Sequence, residues 1–311
     1  MKHVSVLLEK SVESLNIKPD GIYIDATLGR GGHSYEILRF LTSGHLYCID
    51  KDIVALEESK EYLSKVSQNF TVIHDDFKNL KHILNEYKIE RIDGILFDLG
   101  VSSPQFDDPN RGFSYRYDAR LDMRMDQRQA LSAYEITNEY SFHELLRIFK
   151  DYGEEANAKL IARAIEKKRL EKPIETTFEL VEVIKSALPQ KVLKKKGHPA
   201  KQVFQSLRIE VNQELEQLDE VLHLAVNKLK LDGRVVVITF HSLEDRIVKR
   251  VFQSYADEVK VNKRIPLLAS QLEKPKYALL NRKPVTATEE EMELNPRSKS
   301  AKLRVLKRLE E

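Results

Sequence analysis

The glycine-rich segment DATLGRGGHS (25–34) constrains the fold more than any other feature of the chain. It follows a short apolar run with β-branched residues, and it opens a segment with helical periodicity (34–41). Gly29, Gly31 and Gly32 allow a tight turn and the close approach of a ligand, and the helix that follows offers unpaired backbone N–H groups. A strand, a glycine turn and a helix in this order are typical of a nucleotide site at the edge of a parallel sheet, although an ordinary strand-to-helix turn has the same pattern.

The segments around this turn alternate between strand and helix patterns. In the first hundred residues, helical periodicity over 34–41 and 52–66 separates apolar, β-branched runs, and two further runs come late in the chain. Such alternation predicts parallel strands with helices on both faces of the sheet. The predicted strands are 21–28, 45–50, 70–76, 92–100, 233–240 and 301–309.

The middle of the chain has a different pattern. From about residue 132 to residue 230 the periodicity is almost wholly helical, which suggests a helical block inserted into one sheet. We therefore expect a discontinuous α/β domain formed by residues 1–110 and 212–311, and an inserted all-helical domain, formed by residues 111–211, that recognises the substrate.

Acidic residues stand at the ends of the predicted strands. Asp25 lies in the first strand and precedes the glycines, Asp50 ends the second strand, and the fourth ends in FDLGVSS (97–103), which contains Asp98. An acid at the tip of the second strand is placed to accept hydrogen bonds from ribose hydroxyls, whereas capping of the next helix is the alternative for Asp50 and Asp76. The loop lacks both the G-x-G-x-x-G dinucleotide pattern and a phosphate-binding P-loop. An acid before the glycines favours S-adenosylmethionine, and hence a methyltransferase over a dehydrogenase.

Composition excludes several other classes. The single cysteine, Cys48, rules out an intrachain disulfide and a cysteine-based zinc cluster, and it fits a reducing, cytoplasmic setting. No apolar run approaches the roughly 20 residues that span a bilayer, and the N-terminal segment, with Glu9 and Glu13, does not look like a signal peptide. The net charge of +2 argues against a protein that coats nucleic acid with its whole surface, but not against local basic patches.

Six longer motifs resemble those of one known family, the ribosomal RNA small-subunit methyltransferase H family, also called the MraW family. The motifs are HVSVLLEKSV (3–12), DATLGRGGHS (25–34), DGILFDLGVSSPQFDDPNRGFS (93–114), LDMRMD (121–126), FHSLEDRIVK (240–249) and NPRSKSAKLR (295–304). The resemblance implies an α/β fold with a doubly wound, Rossmann-like, seven-stranded methyltransferase sheet and an inserted helical domain. It also implies S-adenosyl-L-methionine-dependent methylation of the exocyclic N4 amine of one cytidine in the decoding region of 16S rRNA, in the small ribosomal subunit.

The resemblance also assigns ligand positions. Asp50 would hold the ribose, and Phe77 would lie against the adenine. No metal is needed, because the positive sulfur already activates the methyl group. The full set of implied cofactor-binding residues is Gly31, Gly32, His33, Asp50, Phe77, Asp98 and Gln105.

The loop after the fourth strand is the expected catalytic segment. It departs from the Asp-Pro-Pro-Tyr form of amino-group methyltransferases, because Leu99 and Gly100 replace the prolines. The acceptor for the cytosine amine is therefore either Asp98 or a backbone carbonyl of the loop. Ser102 and Ser103 either assist this acceptor or only satisfy the backbone of the turn.

Basic stretches are candidates for contacts with RNA phosphates. Residues 191–201 contain five lysines and no acid, and residues 295–308 contain six basic residues and no acid. If residues 111–128 are helical, arginines recurring every four residues form a stripe beside a stripe of aspartates. A salt-bridged surface exposed to solvent is the alternative for that segment.

Several alternatives stay open at this point. His33 acts either as a base or in cofactor packing, and His241 either faces the crevice or precedes a helix that Ser242 caps with Asp245. Two other functions are a methyltransferase with a non-rRNA substrate and an RNA-binding ribosome assembly factor with a methyltransferase-like fold. No membrane partner is expected, and a homodimer is one option for the oligomeric state.

Overall fold

The structure, a computed structural model, describes residues 5–101, 106, 108–256 and 275–310. It divides into two compact units. The sheet unit comprises the described residues up to Gly100 and from Leu215 onward, and the helical unit comprises those from Val101 to Glu214. The first division falls before the expected boundary at residue 110, because Val101 and Phe113 pack with the helical core.

The sheet unit contains one sheet of seven strands among its described residues, in the order β3-β2-β1-β4-β5-β7-β6. β1 to β5 run parallel, whereas β7 is antiparallel to both β5 and β6. The strand order reverses at β1, which places the carboxyl ends of β1, β2 and β4 around one crevice. The expected seven-stranded, Rossmann-like α/β sheet is confirmed. The strands are β1 Ile22–Asp25, β2 His45–Asp50, β3 Phe70–His74, β4 Ile92–Asp98, β5 Leu229–Thr239, β6 Tyr277–Leu279 and β7 Lys302–Arg308.

Helices cover the sheet and build the second unit. α5 to α10 belong to the helical unit, and the others belong to the sheet unit. The described helices are α1 Leu8–Leu15, α2 Gly32–Phe40, α3 Ile53–Leu63, α4 Leu80–Glu86, α5 Ala133–Glu139, α6 Phe142–Asp151, α7 Ala158–Arg169, α8 Thr177–Ala187, α9 Gln190–Leu193, α10 Lys201–Asn212, α11 Leu218–Lys228, α12 Ser242–Ala256 and α13 Glu289–Leu294.

Both faces of the sheet are buried, as the continuous apolar strands predict. Successive residues of β4 alternate between two hydrophobic clusters, because side chains of a strand point to opposite faces. Ile95 and Phe97 join the cluster that includes residues of α4, α11 and α12. Leu96 joins the other, which includes residues of α1, α2 and α3. The sheet is therefore rigidly held from both sides, and so are the residues at its carboxyl edge.

The helical unit has its own core, with local signals that start its helices. Capping boxes at Ser132, Ser141 and Thr176 begin α5, α6 and α8, each with a glutamate three residues later that bonds back to the capping residue. Fully buried side chains such as Leu145 of α6 and Ile161 of α7 form one cluster.

The segment 111–128 is not helical, so the Arg and Asp stripes expected for a helix do not form. The side chains of Asp122 and Asp126 accept the backbone N–H groups of Arg124 and Arg128 two residues later, and they also bind the guanidinium groups of these arginines. Such local bonds offer the backbone an alternative to a helix. Met123 also has a positive φ of 61°, which a right-handed helix excludes.

The edge strand β6 was not among the predicted strands. It has only three residues, and so short a run does not stand out from a loop.

Across the described part of the chain, none of the helices combines the length and apolarity needed to cross a bilayer.

Candidate active site

The carboxyl edge of the parallel strands gathers the acids that the sequence singled out. Asp25 lies opposite Cys48 of β2 and Leu96 of β4 in the sheet register. Asp50 ends β2 and Asp98 ends β4, so the three carboxylates reach the same edge. The sheet order, rather than sequence proximity, brings them together.

The glycine loop bends as its composition predicts, at two of its three glycines. Gly29 and Gly31 have positive φ values of 51° and 72°, in the left-handed region that favours glycine. Gly32 has an ordinary φ, and a Cβ at this position would lie 2.1 Å from Oγ of Ser5. Gly32 therefore permits close packing against the N-terminal segment of its own chain. The loop is held further by a hydrogen bond of 2.8 Å from the Ser59 hydroxyl to the Gly29 carbonyl.

Asp50 fastens the glycine loop to the second strand. Its two carboxylate oxygens accept the N–H groups of Gly29 at 2.7 Å and Asp52 at 2.9 Å. The helix cap of α3 is Asp52, whose side chain accepts from Val54, so capping is not the role of Asp50. Burial raises the pKa of Asp50 although both backbone N–H groups lower it. Each oxygen retains a lone pair for a further donor such as a ribose hydroxyl.

The third strand places an aromatic ring beside this edge. Phe77 is half-buried and meets Phe97 edge-to-face at a centroid distance of 5.8 Å. Asp76 accepts the N–H of Lys78 and caps the short turn that begins at Phe77, which agrees with its alternative role as a cap. The partly exposed ring of Phe77 offers an apolar contact that suits the face of a purine.

Asp25 is an almost completely buried acid of the site. It is 1% exposed, and its oxygens accept the Thr27 N–H at 3.1 Å and the Ser34 hydroxyl at 2.7 Å. Burial raises its pKa from 3.8 to about 6, against the effect of these two hydrogen bonds, and the negative charge of Asp50 adds to the rise.

Asp98 has the least compensated carboxylate. One quarter of its side chain is exposed, yet Oδ1 is shielded from solvent and finds no hydrogen-bond partner among the described residues. Burial raises the pKa of Asp98 well above its usual value, and the negative charges of Asp25 and Glu244 raise it further. Such a carboxyl group favours a positive charge or a hydrogen-bond donor as its neighbour.

His33 connects this carboxylate to the N-terminal segment. The ring is 5% exposed, and Nε2 lies 3.1 Å from the carbonyl oxygen of Val6, to which it donates. In the neutral ring, Nδ1 is then an acceptor, and it lies 3.7 Å from Oδ2 of Asp98. This distance exceeds that of a hydrogen bond, so Nδ1 does not satisfy the carboxylate. The buried, anchored ring fits its alternative role in packing.

Glu244 is a site residue that the sequence reasoning missed. It is 1% exposed, and one of its oxygens accepts the backbone N–H groups of Phe240 at 2.8 Å and His241 at 3.3 Å. Its other oxygen lies 3.0 Å from Nε2 of His241. Glu244, rather than Asp245, therefore bonds back to the backbone before this helix, whereas the alternative from the sequence paired Ser242 with Asp245. The sequence contains a signal for Glu244, since the motif FHSLED places this glutamate one residue before Asp245.

Asp245 serves a structural contact instead. Its carboxylate binds Nε of Arg304 at 2.7 Å and Nζ of Lys302 at 3.2 Å, which ties α12 to β7. Three other predicted site residues, Ser102, Ser103 and Gln105, lie outside the described residues.

The arrangement suits a cationic nucleoside better than a phosphate ligand. Three carboxyl groups, those of Asp25, Asp98 and Glu244, interact closely enough to raise the pKa of Asp98. A phosphate would add to this repulsion, whereas a sulfonium or ammonium group would relieve it. Asp50 and Phe77 add an acceptor and an apolar ring at neighbouring strand ends. The residues present therefore fit S-adenosylmethionine.

Comparison with known proteins gives matches to the whole chain. Two solved structures are similar at low identity: a candidate rRNA methylase from Clostridium thermocellum (10% identity, 99% of this chain and 100% of that chain, TM-score 0.45) and an rRNA methylase from Streptococcus thermophilus (14%, 97% and 93%, TM-score 0.38). The profile of the MraW methylase family matches residues 1–309. The ribosomal RNA small subunit methyltransferase H of Exiguobacterium sibiricum is 51% identical over 310 residues, which cover 100% of this chain and 99% of that protein.

Proposed function

This chain belongs to the MraW methylase family, and we propose that it methylates the exocyclic N4 amine of one cytidine in the decoding region of 16S rRNA, with S-adenosyl-L-methionine as methyl donor. The family membership confirms the resemblance that the sequence motifs carry. The name of the relative from Exiguobacterium sibiricum supports RNA of the small ribosomal subunit as the substrate. This substrate would place the protein in the cytoplasm with the ribosome.

The observation that carries the proposal is the shielded, uncompensated carboxylate of Asp98 among like charges. Oδ1 has no hydrogen-bond partner among the described residues, and the pKa of Asp98 is well above its usual value because of burial and because of Asp25 and Glu244. A buried charge of this kind is costly unless a ligand compensates it. A sulfonium cation and an amine N–H group are the two ligands that this reaction brings to such a site.

Each residue of the site would then have a separate role. Asp50 would hold the ribose hydroxyls, and Phe77 would lie against the adenine ring. The sulfonium supplies an activated methyl group, so the protein mainly has to align the amine with it, an effect of up to ~7–11 kcal/mol. Asp98 would accept a hydrogen bond from the cytosine amine, whose lone pair is otherwise delocalised into the ring, and would take its proton as the new N–C bond forms. Ser102 and Ser103 would assist this acceptor, and Gln105 would complete the pocket.

Positive charge at the site also sets the protonation state of Asp98. Without it, burial and like charges favour the protonated carboxyl group. A neighbouring cation favours the ionised form, which is the form that can accept a proton. His33, whose Nδ1 lies 3.7 Å from Oδ2 of Asp98, would border the methionine part of the cofactor, as the family resemblance implies.

The helical unit would recognise the RNA. A base in structured RNA has to be reached in a single strand or pulled from its stack, and the sheet unit supplies only the cofactor crevice. This assignment gives the inserted unit the role that was expected for residues 111–211.

The test combines binding and transfer. Small ribosomal subunits that lack the modification are incubated with the protein and methyl-labelled S-adenosylmethionine, and the labelled nucleoside is identified by chromatography against N4-methylcytidine. We expect label in this nucleoside with the wild-type chain. With Asp98→Asn we expect the rate to fall by about 10²–10⁴-fold, while calorimetry still detects the cofactor.

The control is Asp20→Asn, the same change at an exposed residue of the sheet unit, which should leave the rate unchanged. Label in protein or in another nucleoside would refute the assigned substrate. Binding of subunits without any transfer of label would favour an assembly factor. Sedimentation of the same preparation decides between a monomer and a homodimer.

A further inference from the structure

The helical unit carries a strongly basic stretch for which the cofactor site has no use. The 27 residues between Glu182 and Glu210 contain seven basic residues and no acid. The rest of the helical unit contains thirteen basic and eighteen acidic residues. Charge is therefore segregated within this unit, although the whole chain has a net charge of only +2.

Five of these cations lie in residues 191–201, which we name the lysine loop. All five lysines are exposed, and none has an ion pair with any residue in the described ranges. They are Lys191, Lys194, Lys195, Lys196 and Lys201.

Two lysines elsewhere in the same unit are paired with acids. Lys168 binds Glu171 at 3.0 Å, and Lys172 binds Glu179 at 2.7 Å. An exposed lysine gains little from such a pair, so the lack of partners in the lysine loop costs the fold little. It leaves a concentrated positive charge for an external anion.

The lysine loop is anchored at both ends and beneath. Leu193 packs against the helical core, and Ala200 is fully buried within it. Between them, the ring of His198 stacks flat on Tyr115, with centroids 4.1 Å apart and an interplanar angle of 4°. Nδ1 of His198 also accepts the N–H of Ala200 at 3.3 Å. These contacts hold the backbone, while the lysine side chains project into solvent.

A further cation lies at this stack. Arg116 is exposed and directly follows Tyr115. The pKa of His198 is lowered, mainly by burial and also by the charges of Lys185 and Arg116. His198 therefore serves as a flat, neutral anchor, and the positive charge of the surface comes from the lysines and Arg116.

We propose that the lysine loop, with Arg116, is the surface through which the helical unit holds the phosphate backbone of its RNA substrate. The proposal rests on the proposed function, since an enzyme that acts on one base in a long RNA must bind the surrounding backbone. Lysine ammonium groups bind phosphate as point charges without reading bases. The loop positions the RNA, and the cofactor crevice selects the amine.

The test uses the full chain with a triple variant, Lys194→Ala, Lys195→Ala and Lys196→Ala. The probe is a fluorescent transcript of the 16S decoding region, and the dissociation constant is measured at several salt concentrations. Each lost contact to single-stranded phosphate lowers the slope of log K against log[salt] by about 0.7. We expect the slope to fall by about 2, and the affinity at physiological salt to fall on the order of 50-fold.

The matched control is Lys159→Ala, Lys168→Ala and Lys172→Ala, which removes the same charge from exposed positions of the same unit. The RNA affinity of this control should stay within about threefold of wild type. A second variant, Lys194→Arg, Lys195→Arg and Lys196→Arg, keeps the three charges and should keep the wild-type slope of log K against log[salt]. Cofactor affinity, measured by calorimetry, should be equal in all variants.

Three results would overturn the proposal. An equal loss in both triple variants would indicate a general charge effect. An unchanged slope in the lysine-loop variant would mean that these lysines do not contact phosphate. Normal binding of the transcript with reduced methylation of intact subunits would indicate a protein partner instead. A wild-type chain that binds the transcript but transfers no methyl group would refute the proposed function and leave the loop assignment standing.

Discussion

Replacement of Asp25 by asparagine tests the electrostatics of the cofactor crevice directly. Asp25 is 1% exposed, and its pKa is raised from 3.8 to about 6 in the folded chain, chiefly by burial. The folded state therefore holds this proton at a higher pH than the unfolded state does. It follows that the free energy of unfolding of the wild-type chain falls as the pH rises through this interval.

The pKa shift of Asp25 sets the size of the expected change in the free energy of unfolding. Each unit of pKa corresponds to 1.36 kcal/mol, so ionised Asp25 costs the folded state about 3 kcal/mol relative to the protonated form. Asparagine has nearly the same shape and does not ionise. The amide oxygen of the asparagine can still accept a hydrogen bond. The Ser34 hydroxyl also lies 3.5 Å from Sγ of Cys48, which gives it a second neighbour. We expect the stability of Asp25→Asn relative to wild type to increase by about 2 kcal/mol between pH 4 and pH 8, because the unfolded carboxyl group is already half ionised near pH 4.

The assay is urea unfolding of both chains at a series of pH values, followed by circular dichroism. The exposed Asp232→Asn variant serves as a control of opposite sign, because Lys307 lowers the pKa of Asp232. Its stability relative to wild type should decrease slightly as the pH rises. If the difference between Asp25→Asn and wild type is the same at every pH, the argument that burial strains the ionised carboxylate is refuted.

Further predictions concern the glycine loop, the crevice and two buried contacts. Gly31→Ala forces a left-handed φ on a residue with a Cβ and should cost about 1–2 kcal/mol; urea unfolding checks this, and an unchanged midpoint contradicts it. Binding of S-adenosylmethionine should tighten as the pH rises, because a cation prefers the ionised form of Asp98, whose pKa is raised; Asp98→Asn should remove this dependence in calorimetry. Asp245→Ala leaves Arg304, which is 7% exposed, without its carboxylate, and should cost about 3 kcal/mol; thermal melts that match wild type would exclude this. Asn212→Ala leaves the buried hydrogen bonds of its side chain to backbone groups of Met123, Met125 and Arg208 unmade and should cost about 3 kcal/mol; faster amide exchange confined to the helical unit is the expected readout.

Local sequence determined the elements that depend on local physics. The apolar, β-branched runs at 45–50 and 92–100 form strands because parallel strands buried on both faces need continuous apolar sequence. Gly29 and Gly31 take the left-handed conformations that their turn requires. The motif resemblance added the doubly wound, seven-stranded sheet and the family, which periodicity alone does not reveal.

Pairings between distant residues were decided by the tertiary structure. The sequence does not show that Glu244 accepts two backbone N–H groups, or that Asp245 binds Arg304 across 59 positions, because either acid could have capped the helix. It also does not show that residues 111–128 form turns, since the choice between helix and turn depended on side chains bonding their own backbone.

The raised pKa values of the acids in the crevice also depend on the fold. Asp25, Asp50 and Asp98 are each ordinary carboxylates in the sequence, with a usual pKa of 3.8. Their pKa values rise mainly because burial in the folded chain removes water from them. The sheet order adds to this, because it brings the charge of Asp50 near Asp25 and the charge of Asp25 near Asp98. The acids of the crevice, apart from Glu244, could be identified in the sequence, whereas burial and proximity, which set the energy of their charges, exist only once the chain has folded.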